Sequence, residues 1–286
     1  MTFASVAIPT RNRAASLRLC IESVLAQDFA RDAYEIIVID DGSHDETAGV
    51  IASFDGVRSV HQSHQGLNGA RNAALRIARG DPICFVDDDE VVPPTWLRAM
   101  VDGAARFPHA GALGGPMRLR LEGRQPRTCG NEPLGESELD LGDEAQEVDE
   151  VWGGNLAVRR WAIDAVGDFR ADLHLLGGTE VEWERRLRAA GHPIVYLPDA
   201  WVWHRRTQAQ LRLHRLMLNR FFRGRGQSLN ARRLGWPTLR PRVLASEIRH
   251  ELVHTVRHRC AAGLVTAAHH AGRIEGLFEA RLRRPE

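Results

Sequence analysis

The chain contains no lysine; all 38 of its basic side chains are arginines. That absence excludes Schiff-base chemistry and the lysine-bearing phosphate loop, so any phosphate must be met by arginine, backbone amides or a metal. Cysteine is sparse. Cys20, Cys84, Cys129 and Cys260 are scattered without C-x-x-C spacing, and two of them sit in apolar patterns, as expected of reduced residues in a cytoplasmic protein. No stretch approaches the roughly 18 uncharged apolar residues of a membrane span, and the N-terminus enters a strand with no basic and apolar leader before it. These absences predict a soluble protein, with attachment at the inner face of a membrane open only to a peripheral surface. There is no internal repeat.

The 286 residues suffice for one large domain, or a domain with an appendage. A net charge of +1 hides an asymmetry. Residues 1–200 carry about 20 arginines against about 32 acids, and residues 201–286 about 18 against about 5. The body is acidic and the tail basic, which sets the expected boundary: a catalytic domain over 1–206 and a basic helical extension over 207–286.

Strand and helix patterns alternate over the first hundred residues. Val6–Ile8, Ile36–Ile39, Val57–Val60 and Ile83–Val86 read as strands, with a helix after Asn12 as its cap and another over Leu67–Arg79. Ser43-His44-Asp45-Glu46 and Thr179-Glu180-Val181-Glu182 fit capping boxes. This rhythm predicts an α/β fold with a mostly parallel, Rossmann-like sheet flanked by helices, whose ligands lie beyond the carboxyl ends of its strands. Residues 121–150 are polar and rich in Gly and Pro, and are expected to form a long loop. Short strands are expected near Trp152–Val158, Pro193–Tyr196 and Ala200–Trp203, and basic amphipathic helices over 207–226 and 243–282.

Phe85-Val86-Asp87-Asp88-Asp89-Glu90 is an apolar run ending in four carboxylates. Adjacent desolvated acids oppose each other's ionisation, and a hard divalent cation such as Mg2+ or Mn2+ removes the conflict. Taken alone, the run also fits a charged turn. Asp40 and Asp41 end the second strand, so both acidic clusters should face one crevice, beside Thr10 and Arg11 at the tip of the first.

Ala7-Ile8-Pro9-Thr10-Arg11-Asn12, Ile39-Asp40-Asp41-Gly42-Ser43, Gly69-Ala70-Arg71-Asn72, Asp87-Asp88-Asp89, Gly153-Gly154-Asn155 and the Glu180 helix occur in one order. In that order they resemble the family 2 glycosyltransferases of the GT-A fold, over roughly residues 3–206. The resemblance implies a metal-dependent inverting transferase that moves a sugar, of hexosyl type, from a nucleoside-diphosphate sugar to an acceptor hydroxyl. It implies donor binding by Thr10, Arg11, Asp41, Arg71, Asp87 and Asp88, and a Mg2+ or Mn2+ site at Asp87, Asp89 and His204. Glu180 is implied as catalytic base, with Glu182 the second candidate, and Trp152, Gly153, Gly154, Asn155 and Glu182 as sugar or acceptor contacts. Thr179-Glu180 stands where the family usually has Glu-Asp, so the base is one methylene longer than usual.

One motif points elsewhere. His250-Glu251-Leu252-Val253-His254 is an H-E-x-x-H, which on a helix suits a zinc peptidase, but it lies in an arginine-rich tail without the glycine-bearing extension. A non-catalytic nucleotide-sugar binder on the same fold is the other alternative. The tail is expected to pack over the sheet, contact a second subunit or attach peripherally to an anionic membrane. Aromatic and base-reading signatures for nucleic acid are absent, so no such partner is expected.

Overall fold

The computed structural model describes residues 3–130, 134, 138–173 and 179–282. Its elements in chain order begin with β1 (Ala4–Thr10), α1 (Ala14–Leu25), β2 (Tyr34–Asp40), α2 (Thr47–Ala52), β3 (Val57–His61), α3 (Leu67–Ile77), β4 (Ile83–Val86), β5 (Glu90–Val91) and α4 (Trp96–Arg106). They continue with β6 (Ala112–Gly114), β7 (Met117–Glu122), β8 (Gln146–Val148), β9 (Asn155–Val158), α5 (Arg160–Val166), α6 (Val181–Ala189), β10 (Ile194–Tyr196) and β11 (Val202–Thr207). Three long helices follow, α7 (Leu213–Arg233), α8 (Pro241–His258) and α9 (Ala261–Leu282).

The chain forms two compact units, Met1–Arg120 with Glu138–Asp172 and Gly178–Arg205, and Leu121–Ser137 with Leu173–Gly177 and Arg206–Glu286. In the first, an eight-stranded sheet runs β3-β2-β1-β4-β9-β6-β10-β8. The four N-terminal strands are parallel, β9 is antiparallel to both β4 and β6, and β8 closes the far edge antiparallel to β10. The sheet is therefore mostly parallel, as expected, with the reversal at β9. A smaller sheet, β5-β11-β7, sets Trp203 and His204 against Val91 and Glu90.

Strand alternation sorts the core into two layers. Val6, Ile8, Ile36, Val38, Cys84 and Val86 pack on one face with Leu17 and Ile21 of α1 and Trp96 and Met100 of α4. Ala7, Ile37, Ile39, Ile83 and Phe85 pack on the other with Ala70 and Ala74 of α3 and Trp183 and Leu187 of α6. Strands covered on both faces must be apolar at every position, which is why β2 reads Ile-Ile-Val-Ile.

The expected caps are not formed. Asn12 takes a left-handed φ of 54°, its Oδ1 accepts from the His44 amide and its own amide donates to Ser43 Oγ. Asp45 accepts from the amides of Thr47 and Ala14. These polar groups tie the β1–α1 loop to the β2–α2 loop, so α1 starts at Ala14 and α2 at Thr47. The second expected box, Thr179 to Glu182, is also absent: α6 begins at Val181 without a side-chain cap. The 121–150 segment is less irregular than its composition suggests. It contains the end of β7, a bridge between Met117 and Leu139, and β8. Residues 131–133 and 135–137 lie outside the described set.

The second unit is built on α7, α8 and α9, and no described helix is long and apolar enough to cross a membrane. Small residues let backbones touch: a Cβ on Gly224 would lie 2.0 Å from the His269 carbonyl, and one on Gly272 would lie 1.9 Å from the Phe221 carbonyl. Arg225 of α7 also donates to Glu279 of α9. Gly272→Ala would gain about 1 kcal/mol of helix propensity, but overpacking against rigid backbone costs roughly 1–3 kcal/mol. Net destabilisation is the expected outcome in urea unfolding; an unchanged or higher midpoint would contradict this close approach.

Candidate active site

β4 ends at Val86, and the acids that follow form a turn in which the Glu90 amide bonds back to the Asp87 carbonyl. The acids therefore do not continue β4 in extended form. Asp88 accepts from the Thr10 hydroxyl at 2.7 Å and from Arg13 Nη1 at 2.9 Å, and the same nitrogen reaches Asp89 Oδ2 at 2.9 Å. Asp89 Oδ1 also lies 3.6 Å from His204 Nε2. Asp87 Oδ2 lies against Gly154, where an added Cβ would meet Glu90 Oε1 at 2.4 Å and Asp87 Oδ2 at 2.9 Å. Burial raises the Asp88 carboxyl to about 7 despite the opposing pull of Arg13 and Thr10, with Asp89 and Asp87 pushing it further up. Burial likewise raises Asp87, with Arg71 and His204 opposing, and Asp89 and Glu180 adding to the rise.

On Asp87's side the walls are an arginine, a glutamate and two glycines. Arg71 is buried on α3 with its guanidinium 5.7 Å from the Phe169 ring. Its Nη1 reaches Asn68 Oδ1 at 3.3 Å and Glu180 Oε2 at 3.4 Å. Glu180 stands immediately before α6, its other oxygen accepting from the Gly153 amide at 3.3 Å and its side chain 13% exposed. A Cβ on Gly153 would meet Arg71 Nη2 at 2.2 Å, and one on Gly154 would meet Asp87 Oδ2 at 2.9 Å. The glycine pair is thus explained by close backbone approach to a guanidinium and a carboxylate, rather than by a hairpin turn.

At the β2 tip, Asp40 accepts from the Ser43 amide and meets His61. Asp41 is more heavily engaged. It meets Gln62 Nε2 and His64 Nδ1 at 2.7 Å and accepts from the Gln65 and Gly66 amides at 2.8 and 2.9 Å. Its carboxylate therefore shapes the loop into α3, with the half-exposed His64 among its partners.

Among proteins of known sequence, the Glycosyl transferase family 2 model matches residues 5–167. The chain belongs to that family. It is 24% identical over 217 residues to the glucosyl-dolichyl phosphate glucuronosyltransferase of Haloferax volcanii, covering 71% of this chain and 69% of that one. It is 30% identical over 255 residues to the validoxylamine A glucosyltransferase of Streptomyces hygroscopicus, covering 75% of this chain but 58% of the relative. The fold matches the crystal structure of GalNAc-T7 with UDP, GalNAc and Mn2+ at a TM-score of 0.61 and 16% identity, over 91% of this chain and 55% of that one. The expected GT-A architecture is therefore the observed one.

Several side chains expected at a family 2 site take other work. Asn155 is fully buried: its Oδ1 accepts from Trp96 Nε1 at 2.9 Å, and its Nδ2 donates to the Pro116 and Ala200 carbonyls at 3.2 and 2.7 Å. Every amide group is used, so the sugar contact expected of it is corrected to a structural role. Glu182 is held by Arg186 in an i,i+4 pair at 2.9 Å, which corrects its expected place in a capping box. Trp152 packs partly buried against the core, and Arg11 is exposed beyond β1.

Two residues escaped the sequence reading. Arg13 bridges Asp88 and Asp89, and only the Thr-Arg-Asn-Arg spacing hinted at a second arginine there. Glu184 is fully buried, accepts from the Val151 amide at 3.1 Å and leaves Oε2 without a hydrogen-bond partner. Burial, followed by the Glu180 charge, lifts its carboxyl well above the ordinary range. Its signal was visible as the i,i+4 spacing from Glu180, which puts both acids on one helix face.

Asp87, Asp89 and His204 suit a hard or borderline divalent cation in donor chemistry. His204 is buried with Nδ1 lacking a hydrogen-bond partner, and a cation would offset the burial, and after it the Asp89 charge, that raise Asp87. Arg13 already engages Asp89 at 2.9 Å.

Asn155→Ala removes partners from one buried indole and two carbonyls and is expected to cost about 3 kcal/mol, read as a lower urea midpoint. Glu184 binds its proton more tightly folded than unfolded, so its contribution to stability is present in acid and lost as pH rises beyond the ordinary carboxylate range. Glu184→Gln is accordingly expected to unfold at a higher temperature than the parent by a margin that widens from acid to neutral pH; a constant difference would show that Glu184 is ionised in the folded protein.

Proposed function

We propose that this family 2 protein is a metal-dependent inverting glycosyltransferase that moves a hexosyl unit from a nucleoside-diphosphate sugar to an acceptor hydroxyl. The observation that carries it is the packing of Gly153 on Arg71 and of Gly154 on Asp87, with Glu180 bonded to the same glycine turn. One turn thereby sets a buried cation, an acid at the strand tip and a candidate base around a single point. The names of the two enzyme relatives, both sugar transferases, favour the hexosyl reading, and the Mn2+ and UDP of the structural neighbour favour the donor and cofactor classes.

In this reading Asp87, Asp89 and His204 hold Mg2+ or Mn2+. The ion, when bound, supplies Lewis-acid stabilisation of the departing nucleoside diphosphate. Arg71 adds fixed positive charge in a place where burial strengthens it. Thr10 and Arg13 hold Asp88 and brace the tip. Asp41 meets the base and Arg11 the outer donor surface, while Trp152, Gly153 and Gly154 border the sugar and acceptor. Glu180 takes the acceptor proton as the hydroxyl attacks the anomeric carbon from the side opposite the leaving group. Glu184 lies beneath it, where burial and then the Glu180 charge favour its protonated form.

Glu180→Gln should leave donor affinity within about twofold while turnover falls roughly 10²–10⁴-fold, and Asp89→Ala should abolish transfer and donor hydrolysis. Transfer assays with calorimetric donor binding decide this. Near-normal turnover in Glu180→Gln, with collapse in Glu182→Gln alone, would move the base to Glu182; near-normal turnover in Asp89→Ala would sink the metal assignment.

A further inference from the structure

The helical unit carries a side-chain cluster unrelated to sugar transfer. Cys129, His254 and Cys260 each offer one ligand atom, and these three atoms lie within 4.8 Å of one another. Cys129 Sγ is 3.2 Å from His254 Nε2, and the Cys129 amide donates to Cys260 Sγ at 3.1 Å. From Zn–S of about 2.3 Å and Zn–N of about 2.0–2.1 Å, a tetrahedral angle separates sulfur from nitrogen by roughly 3.6 Å and the two sulfurs by roughly 3.8 Å. The cluster already has close to that spacing.

The backbone fixes each ligand independently. His254 lies in the last turns of α8, where Arg259 ends the helix in a left-handed conformation with φ 49°. Cys260 follows Arg259 in the two-residue link between α8 and α9, its amide bonded to the Thr255 carbonyl, and the next amide, Ala261, donates to the Arg127 carbonyl at 2.9 Å. That last bond draws the strand of chain bearing Cys129 onto the α8–α9 turn.

We propose that Cys129, His254 and Cys260 form a Zn2+ site that pins the 127–129 segment to the α8–α9 turn. Two thiolates and an imidazole are a soft to borderline donor set suited to zinc, with a solvent molecule completing four-coordination on the exposed Cys129 side. The H-E-x-x-H motif contributes only its second histidine. His250 stands outside the cluster, and the Glu251 carbonyl abuts Gly263 of α9, so that part of the motif serves helix packing.

The test uses the full chain, stripped of metal under reductant and titrated with Co2+, then Zn2+. One equivalent of Co2+ should give intense thiolate-to-cobalt charge-transfer absorption, displaced by Zn2+ and lost in Cys129→Ser and in His254→Ala. Oxygen donors such as Asp87 and Asp89 give no such band, so the sugar-transfer site does not contribute. Cys129 lies outside any helix at the surface, so Cys129→Ser should keep its far-ultraviolet circular dichroism. Absence of the band in the reduced parent, its persistence in both variants, or a Cys129–Cys260 disulfide that re-forms in air in the presence of Zn2+ would overturn the proposal.

Discussion

Three carboxylates in succession at the end of a buried strand repel one another in a place where water cannot screen them, and the first unit is arranged around that conflict. Asp88 is stabilised by Thr10 and Arg13, Asp89 by Arg13 with His204 nearby, and Asp87 by the field of Arg71. Each compensating group comes from a different element: the tip of β1, the start of α1, α3 and β11. Burial still wins at Asp87 and Asp88, whose carboxyls remain raised. On the proposed function, the group that would relieve this tip is a divalent cation with phosphate attached.

The glycines follow from the same constraint. A side chain at position 153 would displace the Arg71 guanidinium, and one at 154 would collide with Asp87. Backbone must therefore approach both charged groups directly, and the amide of Gly153 is free to hold Glu180. Asn155, next in sequence, anchors this turn by bonding to Trp96 on one side and to the Pro116 and Ala200 carbonyls on the other. On the proposed function, rigid support of this kind would keep Glu180 and the Asp87 tip in fixed register, where small displacements cost large factors in rate.

Much of this was legible in the chain before its fold was known. Apolar runs ending in acids marked β2 and β4, and the alternation of strands with helices predicted the mostly parallel sheet that the order β3-β2-β1-β4 realises. What stayed hidden depended on groups distant in sequence. Nothing local distinguishes Asn155 as a core amide from a ligand contact, since its three partners lie 39 to 59 residues away. The capping patterns misled for a related reason: the loops at Asn12 and Asp45 satisfy each other's amides across 31 or 32 positions, leaving the adjacent helices to start later. Arg13 was missed because helical propensity says nothing about which acids a guanidinium will find. In the second unit the H-E-x-x-H spacing drew attention to His250, whereas the partners of His254 are two cysteines, one of them 125 residues away.

The most direct measurement is calorimetric titration of nucleoside diphosphates into the protein with and without Mn2+, in the parent and in Asp87→Asn. Binding that requires Mn2+ in the parent and is weakened at least about tenfold, or 1.4 kcal/mol, in the variant is expected if the crowded acids exist to hold a cation and a diphosphate. Equal affinity with and without Mn2+, unchanged by Asp87→Asn, would contradict it.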